Sequence, residues 1–261
     1  MAGRREAGTR FPWQVVALVI FVRLWFWYVY QKLPAGNDWN NFYHPAAVAW
    51  VQGAPLDSSS GTPLHIFFLG LNYRLFGAGV TAMRIGQILL DGLAAACLLI
   101  LGKSVFNPRA ALISGLIYAF YPPAVYLSGL GQPEGMLGLC LLLMGLLWVR
   151  ESRTHSGLNY FGVGFFLGVG FLLKPNYFAF FPLWFLIEIL ISKTRRRRTL
   201  FNMGFALVGV IAAVIPWWAF SAGRSSDWLD RAILYAKIVY CGTTNINNGS
   251  GKHSSLKWAH Y

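Results

Sequence analysis

Asp38 is the residue most able to do chemistry, a lone carboxylate in the polar run Asn37-Asp38-Trp39-Asn40-Asn41-Phe42-Tyr43-His44, just past the first apolar stretch. A carboxylate held at a cleft meets the requirement for a general base, which needs a proton-accepting group fixed within hydrogen-bond reach of the proton it removes. The other reading of Asp38 is structural. Gly36-Asn37-Asp38 reads as a loop, and Phe42, Ala46, Ala47, Trp50 and Val51 recur at helical spacing, so a surface helix is expected to start near Asn40. Asp38 stands at its entrance, where an aspartate commonly caps the helix. Both readings stay open on the sequence alone.

The elements that position Asp38 are apolar. Of 261 residues 56% are hydrophobic and only 12% charged. Apolar runs of about 17–25 residues cross a hydrocarbon core roughly 30 Å thick, and continuous rather than alternating runs mean helices. Expected spans are 13–30, 85–101, 110–127, 136–149, 159–173, 177–191 and 200–220. The net charge of +13 would suggest nucleic acid in a soluble protein. Here its distribution fits cytoplasmic Lys and Arg orienting a membrane protein, so no nucleic acid is expected.

The same rule biases the reading of Leu64–Phe76 toward the outer surface, with a plain crossing helix as the alternative. If this run crosses, Ser192–Thr199 with its five basic residues falls outside. If it lies at the outer surface, Arg4, Arg5, Arg10, Lys103, Arg109, Arg150, Arg153, Lys193 and Arg195 to Arg198 collect on the cytoplasmic side. Asp38, Asp57, Glu134, Lys174, Asp227 and Asp230 then fall outside. The expectation is an all-α polytopic bundle of about seven full spans plus an outer surface helix in the plasma or inner membrane. Its N-terminus is cytoplasmic and its candidate site faces outward. The first run lacks a small-x-small cleavage site and is expected to stay as a span. Residues 1–221 form the membrane-embedded module, with outer loop 31–63, and 222–261 an outer polar segment. Cys97, Cys140 and Cys241 are too scattered for a disulfide framework or a metal motif. Arg23, Asp91 and Glu188 are ionisable groups within apolar runs and should face the bundle or pair, Arg23 with Asp91 among the options.

Several short segments, taken in order, resemble one family. Asp38 is followed by Tyr43, Ala47 and Gly53-Ala54-Pro55; then come Leu75-Phe76-Gly77 with Met83-Arg84, Tyr121-Pro122-Pro123 ahead of Gln132-Pro133-Glu134, Gly162 to Lys174-Pro175, and Ile215-Pro216-Trp217. This order resembles the GT-C glycosyltransferases, in the branch related to dolichyl-phosphate-mannose protein mannosyltransferases and bacterial lipid A aminoarabinose and Rgt-type sugar transferases. The resemblance implies inverting transfer of a sugar from a polyprenyl-phosphate carrier to a lipid, glycan or protein acceptor at the outer face, with Asp38 matching the catalytic base. The lipid-linked sugar is then a co-substrate, and no further cofactor is implied.

A departing phosphate needs positive charge, supplied best by fixed cations in a water-poor site. Lys174, at the outer end of an apolar run before Pro175, leads for that role, with Arg84 and Arg74 behind it; simple snorkelling is the alternative for Lys174. Glu134 matches an acidic residue that shapes the family's site, or else stabilises the first turn of the helix it opens. Tyr43, with Trp39 and Trp50, offers a ring to a sugar. His65 and His44 are candidates for phosphate binding or for a divalent metal, but isolated histidines do not indicate a metal and none is assigned. Relatives in this family carry further spans, so the chain is expected to be truncated or completed by a partner. An inactive fragment or scaffold, and a lipid or solute transporter using Asp91, Glu188 and Arg23, are the competing readings.

Overall fold

The computed structural model describes residues 12–54, 56, 62–154, 156–174, 176–177, 180–191 and 196–221. Arg4, Arg5, Arg10, Asp57, Pro175, Lys193, Arg195, Asp227, Asp230, Cys241 and the whole polar segment 222–261 lie outside the described residues, as does the side chain of Arg153. Every regular element among the described residues is helical: α1 Trp13–Val29, a π turn Trp39–Tyr43, α2 His44–Val51, α3 Pro63–Phe76, α4 Val80–Val105, α5 Pro108–Phe120, α6 Pro122–Leu127, α7 Glu134–Thr154, α8 Gly157–Leu173, α9 Phe180–Ile191 and α10 Arg196–Ser221.

Polarity runs inside out, as in a protein whose solvent is hydrocarbon. Arg23, His65, Gln87, Asp91 and Glu188 are buried, while Ile113, Ile117 and Phe120 on α5 and Leu183, Leu186 and Leu190 on α9 are exposed. Water would not tolerate so much outward apolar surface. Among the described residues two helices, α4 and the Leu200–Trp217 part of α10, are long and apolar enough to cross a membrane by length and composition; α1, α5 and α8 are shorter apolar helices.

One expected span is corrected. Residues 110–127 are not a single helix, because Tyr121 is extended (φ −67°, ψ 109°) and separates α5 from α6. Pro122 disfavours helical backbone at the residue before it, and neither Pro122 nor Pro123 carries an N–H for the ladder. With 13 residues, α5 rises only about 20 Å and does not traverse a core of roughly 30 Å by itself. The expected run Leu64–Phe76 is α3, whose 14 residues rise about 21 Å. It packs on α2, α4 and α8.

Small residues bring α8 and α10 into backbone contact. A Cβ on Gly164 would stand 1.8 Å from the Ala206 carbonyl oxygen, and one on Gly209 would stand 2.1 Å from that of Phe161. Helix association in lipid relies on such close approach. The crossing fixes the axis of α8, and so the place of Lys174 just beyond its end. On the other side, Val15, Val16 and Val19 of α1 pack with Ala95 and Leu99 of α4 and Ala111 and Ala119 of α5. Arg23 pairs with Asp91 in that interface, Tyr118 Oη donates to the second Asp91 oxygen at 3.0 Å, and the guanidinium lies over the Tyr118 ring. The carbonyls of Val19 and Ala119 accept from the same guanidinium. Lone intramembrane charges are costly, and here each is answered by its partner.

Helix direction sorts the charges. α4 runs from Arg84 to Lys103, α7 from Glu134 to Arg150, and α8 ends at Lys174. Arg84, Glu134 and Lys174 therefore share one end of the bundle, and Lys103 and Arg150 the other.

Candidate functional site

The turn between α6 and α7, residues 128–133, is the hub of the site. Gly131 sits at φ +73°, in the left-handed region, and a Cβ there would stand 2.2 Å from the Trp39 ring, so both backbone and space require glycine. Gln87, buried on α4, grips this turn with both ends of its amide. Its Nε2 donates to the Gln132 carbonyl at 2.8 Å, and its Oε1 accepts from the Gly131 N–H at 3.3 Å.

The loop after α1 is stitched to the same turn. Gly36 N–H donates to the Leu130 carbonyl at 2.9 Å, and Asn40 Nδ2 donates to the Ala35 carbonyl at 3.2 Å. Asp38 is exposed, and Gln132 Nε2 donates to its Oδ2 at 3.3 Å. It adopts helical backbone and makes no side-chain capping bond to the π turn that follows. The capping role weighed from the sequence is therefore not the one the structure displays: the carboxylate points to solvent beside Gln132.

Glu134 and Lys174 meet directly, with Lys174 Nζ donating to Glu134 Oε1 at 2.7 Å. The second oxygen, Oε2, is buried with no partner among the described residues. His65 is fully buried on α3, its Nε2 2.8 Å from the Gly131 carbonyl oxygen, and Tyr43 meets its ring edge-on at 4.9 Å between centroids. A carbonyl only accepts, so Nε2 carries the proton and Nδ1 presents a lone pair. That Nδ1 is buried without a partner among the described residues. Desolvation pushes the imidazole down to about 4, against the opposing pull of the Gly131 carbonyl and of the Glu134 charge. His65 is thus neutral near neutral pH, an acceptor rather than a cation for phosphate.

Beside this pair, Tyr73 Oη accepts from Trp39 Nε1 at 3.1 Å and lies 2.9 Å from His44 Nδ1. The indole can only donate, and the imidazole tautomer sets the direction of the bond between Tyr73 and His44. Burial lowers the His44 imidazole as well.

Arg84 goes elsewhere than the sequence suggests. Its guanidinium donates to the carbonyls of Leu33 at 2.9 Å, Gln31 at 3.3 Å and Gly129 at 3.5 Å, and lies 3.9 Å over the Trp27 ring. Its donors tie the first loop to the hub turn from behind. Arg74 lies over Trp50, on α2. The structure accordingly gathers Asp38, Tyr43, His65, Glu134 and Lys174 about one turn and sets Arg84 beneath it.

Sequence reasoning missed Gln87, Gly131 and the part played by Gln132. Gln87 carried a signal, being a polar side chain in an otherwise apolar helix, where such residues find partners. A cavity of about 170 Å3 lies below the hub, with Leu90, Ala94, Met136 and Leu142 among its walls and Glu134 and Asp91 also on it.

The sequence matches the dolichyl-phosphate-mannose-protein mannosyltransferase family over residues 60–220, more than half of the chain. The matched range holds His65, Arg84, Glu134 and Lys174 and begins after Asp38 and Tyr43. No curated protein matches the chain.

Proposed function

The chain belongs to the dolichyl-phosphate-mannose-protein mannosyltransferase family of GT-C membrane glycosyltransferases, and from that premise we propose that it moves a sugar from a polyprenyl phosphate to a lipid, glycan or protein acceptor, with Asp38 as general base. One observation carries the reading. The hub turn and the first residue of α7 hold an exposed carboxylate, Asp38 through Gln132, and a cation, Lys174 through Glu134.

In this reaction the acceptor hydroxyl or amine attacks the anomeric carbon while its proton passes to an Asp38 oxygen. The bond from that carbon to the phosphate oxygen breaks on the opposite face, and the electron pair leaves with the polyprenyl phosphate. Attack opposite the leaving group inverts the anomeric configuration. Lys174 neutralises the charge that grows on the leaving phosphate, drawn toward it from Glu134. The Glu134 oxygen without a partner among the described residues, Oε2, suits a hydroxyl donor of a sugar ring, since Glu134 also stands on the cavity wall, and the half-buried Tyr43 offers its ring. The apolar walls of the cavity beneath suit an isoprenoid chain.

The charge pattern supports an outward-facing site, since Lys103, Arg109 and Arg150 stand at the far end and cytoplasmic ends gather such residues.

The test is transfer of labelled sugar from a polyprenyl phosphate in membranes from cells making either the chain or its Asp38→Asn variant at equal abundance. Transfer by the first and not by the second is the expected result. Equal transfer by both would remove Asp38 from the chemistry.

A further inference from the structure

At the end remote from Asp38, α4, α7 and α8 part to leave a groove of about 440 Å3 lined by Ile100, Ser104, Leu143, Leu146, Leu147, Val149, Arg150 and Phe166. Its polarity is graded. The apolar side chains lie toward the middle of the bundle, and Arg150, exposed in the last turns of α7, stands at its end. Lys103, also exposed, is three residues beyond Ile100 and next to Ser104, so it reaches the same rim from α4. Arg109, at the opening of α5, adds a third cation at this end of the bundle. Glu151, next after Arg150 on α7, is buried.

A greasy trough with a cationic lip fits one amphiphile. We propose that this groove binds an anionic glycerophospholipid, its phosphate against Arg150 and Lys103 and one acyl chain along Leu143, Leu146, Leu147 and Phe166. Basic pockets between membrane helices recognise acidic headgroups in this way, and each Lys or Arg near an anionic lipid surface is worth about 1 kcal/mol, roughly a fivefold change in affinity. The groove shares no residue with the turn that holds Asp38, so its occupant is distinct from the sugar donor. The inference rests on the membrane location of the chain and not on the reaction assigned to Asp38.

Native mass spectrometry of the full chain in a mild detergent, offered equal dioleoyl phosphatidylglycerol and dioleoyl phosphatidylcholine, tests this. The expected spectrum favours the phosphatidylglycerol adduct several-fold. The double variant Lys103→Gln, Arg150→Gln changes two exposed side chains and should bring the two lipids to near parity. Leu146→Trp, which fills the trough, should reduce both adducts. Equal retention of the two lipids by the unaltered chain, a preference that survives the double variant, adducts indifferent to Leu146→Trp, or a second copy of the chain in place of lipid would each overturn the proposal.

Discussion

Lys174 and Glu134 lie 40 residues apart, yet Lys174 Nζ donates to Glu134 Oε1 at 2.7 Å across the ends of α8 and α7. The side chains of both are over a third exposed, at 43% and 36%. An ion pair so open to solvent contributes about 0–1 kcal/mol to stability. Lys174→Ala should therefore leave the thermal unfolding midpoint nearly unchanged while lowering sugar transfer by about 10- to 100-fold, or about 1.4–2.7 kcal/mol of barrier. Side-by-side thermal shift and transfer assays check this. A variant that loses stability and activity in proportion would make Lys174 a structural residue.

Gln132 should act through Asp38 and not on the substrate. Its amide donates to Asp38 Oδ2 at 3.3 Å while its backbone carbonyl is held by Gln87. Gln132→Ala frees the carboxylate to turn and leaves the backbone grip in place. Transfer should fall by about tenfold, less than the 10²- to 10⁴-fold that loss of a general base brings. Gln132→Glu, which sets a like charge against Asp38, should be worse than Gln132→Ala. If Gln132→Ala matched Asp38→Asn in severity, the amide itself would have to contact the reacting groups.

Arg84 predicts the opposite pattern to Lys174. Its donors serve three backbone carbonyls on two loops, its guanidinium covers Trp27, and a buried carbonyl left unpaired costs about 1–3 kcal/mol. Arg84→Ala should lower stability by about 3 kcal/mol, read as the largest fall in unfolding midpoint among the site variants. Arg84→Lys should recover only part of it, because an ammonium cannot span three carbonyls and lie flat over Trp27. An Arg84→Ala protein as stable as the parent would return Arg84 to the list of phosphate-binding cations.

Charge at the ends of apolar runs is what made the candidate site legible in the sequence. Asp38, Glu134 and Lys174 all stand where a helix begins or ends, and the distribution of Lys and Arg placed them together before any coordinates. The role of Gln132 was not legible, because a neutral amide leaves no mark on charge or hydropathy patterns. The contacts of Arg84 were not legible for a related reason: a cation near a candidate site reads as a ligand, and the Gln31, Leu33 and Gly129 carbonyls it serves come from distant parts of the chain. The break at Tyr121 was written in Pro122-Pro123, but the apolar run around it outweighed two prolines. The near-perfect fit of Gly164 against Ala206 was invisible, since nothing in a glycine says which helix it will meet.

His65 gives a prediction in pH. Burial holds its imidazole at about 4 against an ordinary value of 6.5, so the unfolded chain binds a proton over the interval in which the folded chain does not. Stability then rises with pH between about 4 and 6.5, is fully present above 6.5, and is lost as pH falls toward 4. The span of about 2.5 units corresponds to a loss of about 3 kcal/mol. In His65→Gln, the amide N–H can still reach the Gly131 carbonyl, so the variant should fold while losing much of this acid sensitivity. Unfolding midpoints of both proteins from pH 4 to 8 measure the difference. Between pH 7 and 8 the parent should show no titration of His65 in stability or in transfer, since the ring is already neutral there. Parallel acid slopes for the two proteins would mean that His65 takes up its proton without hindrance in the folded state.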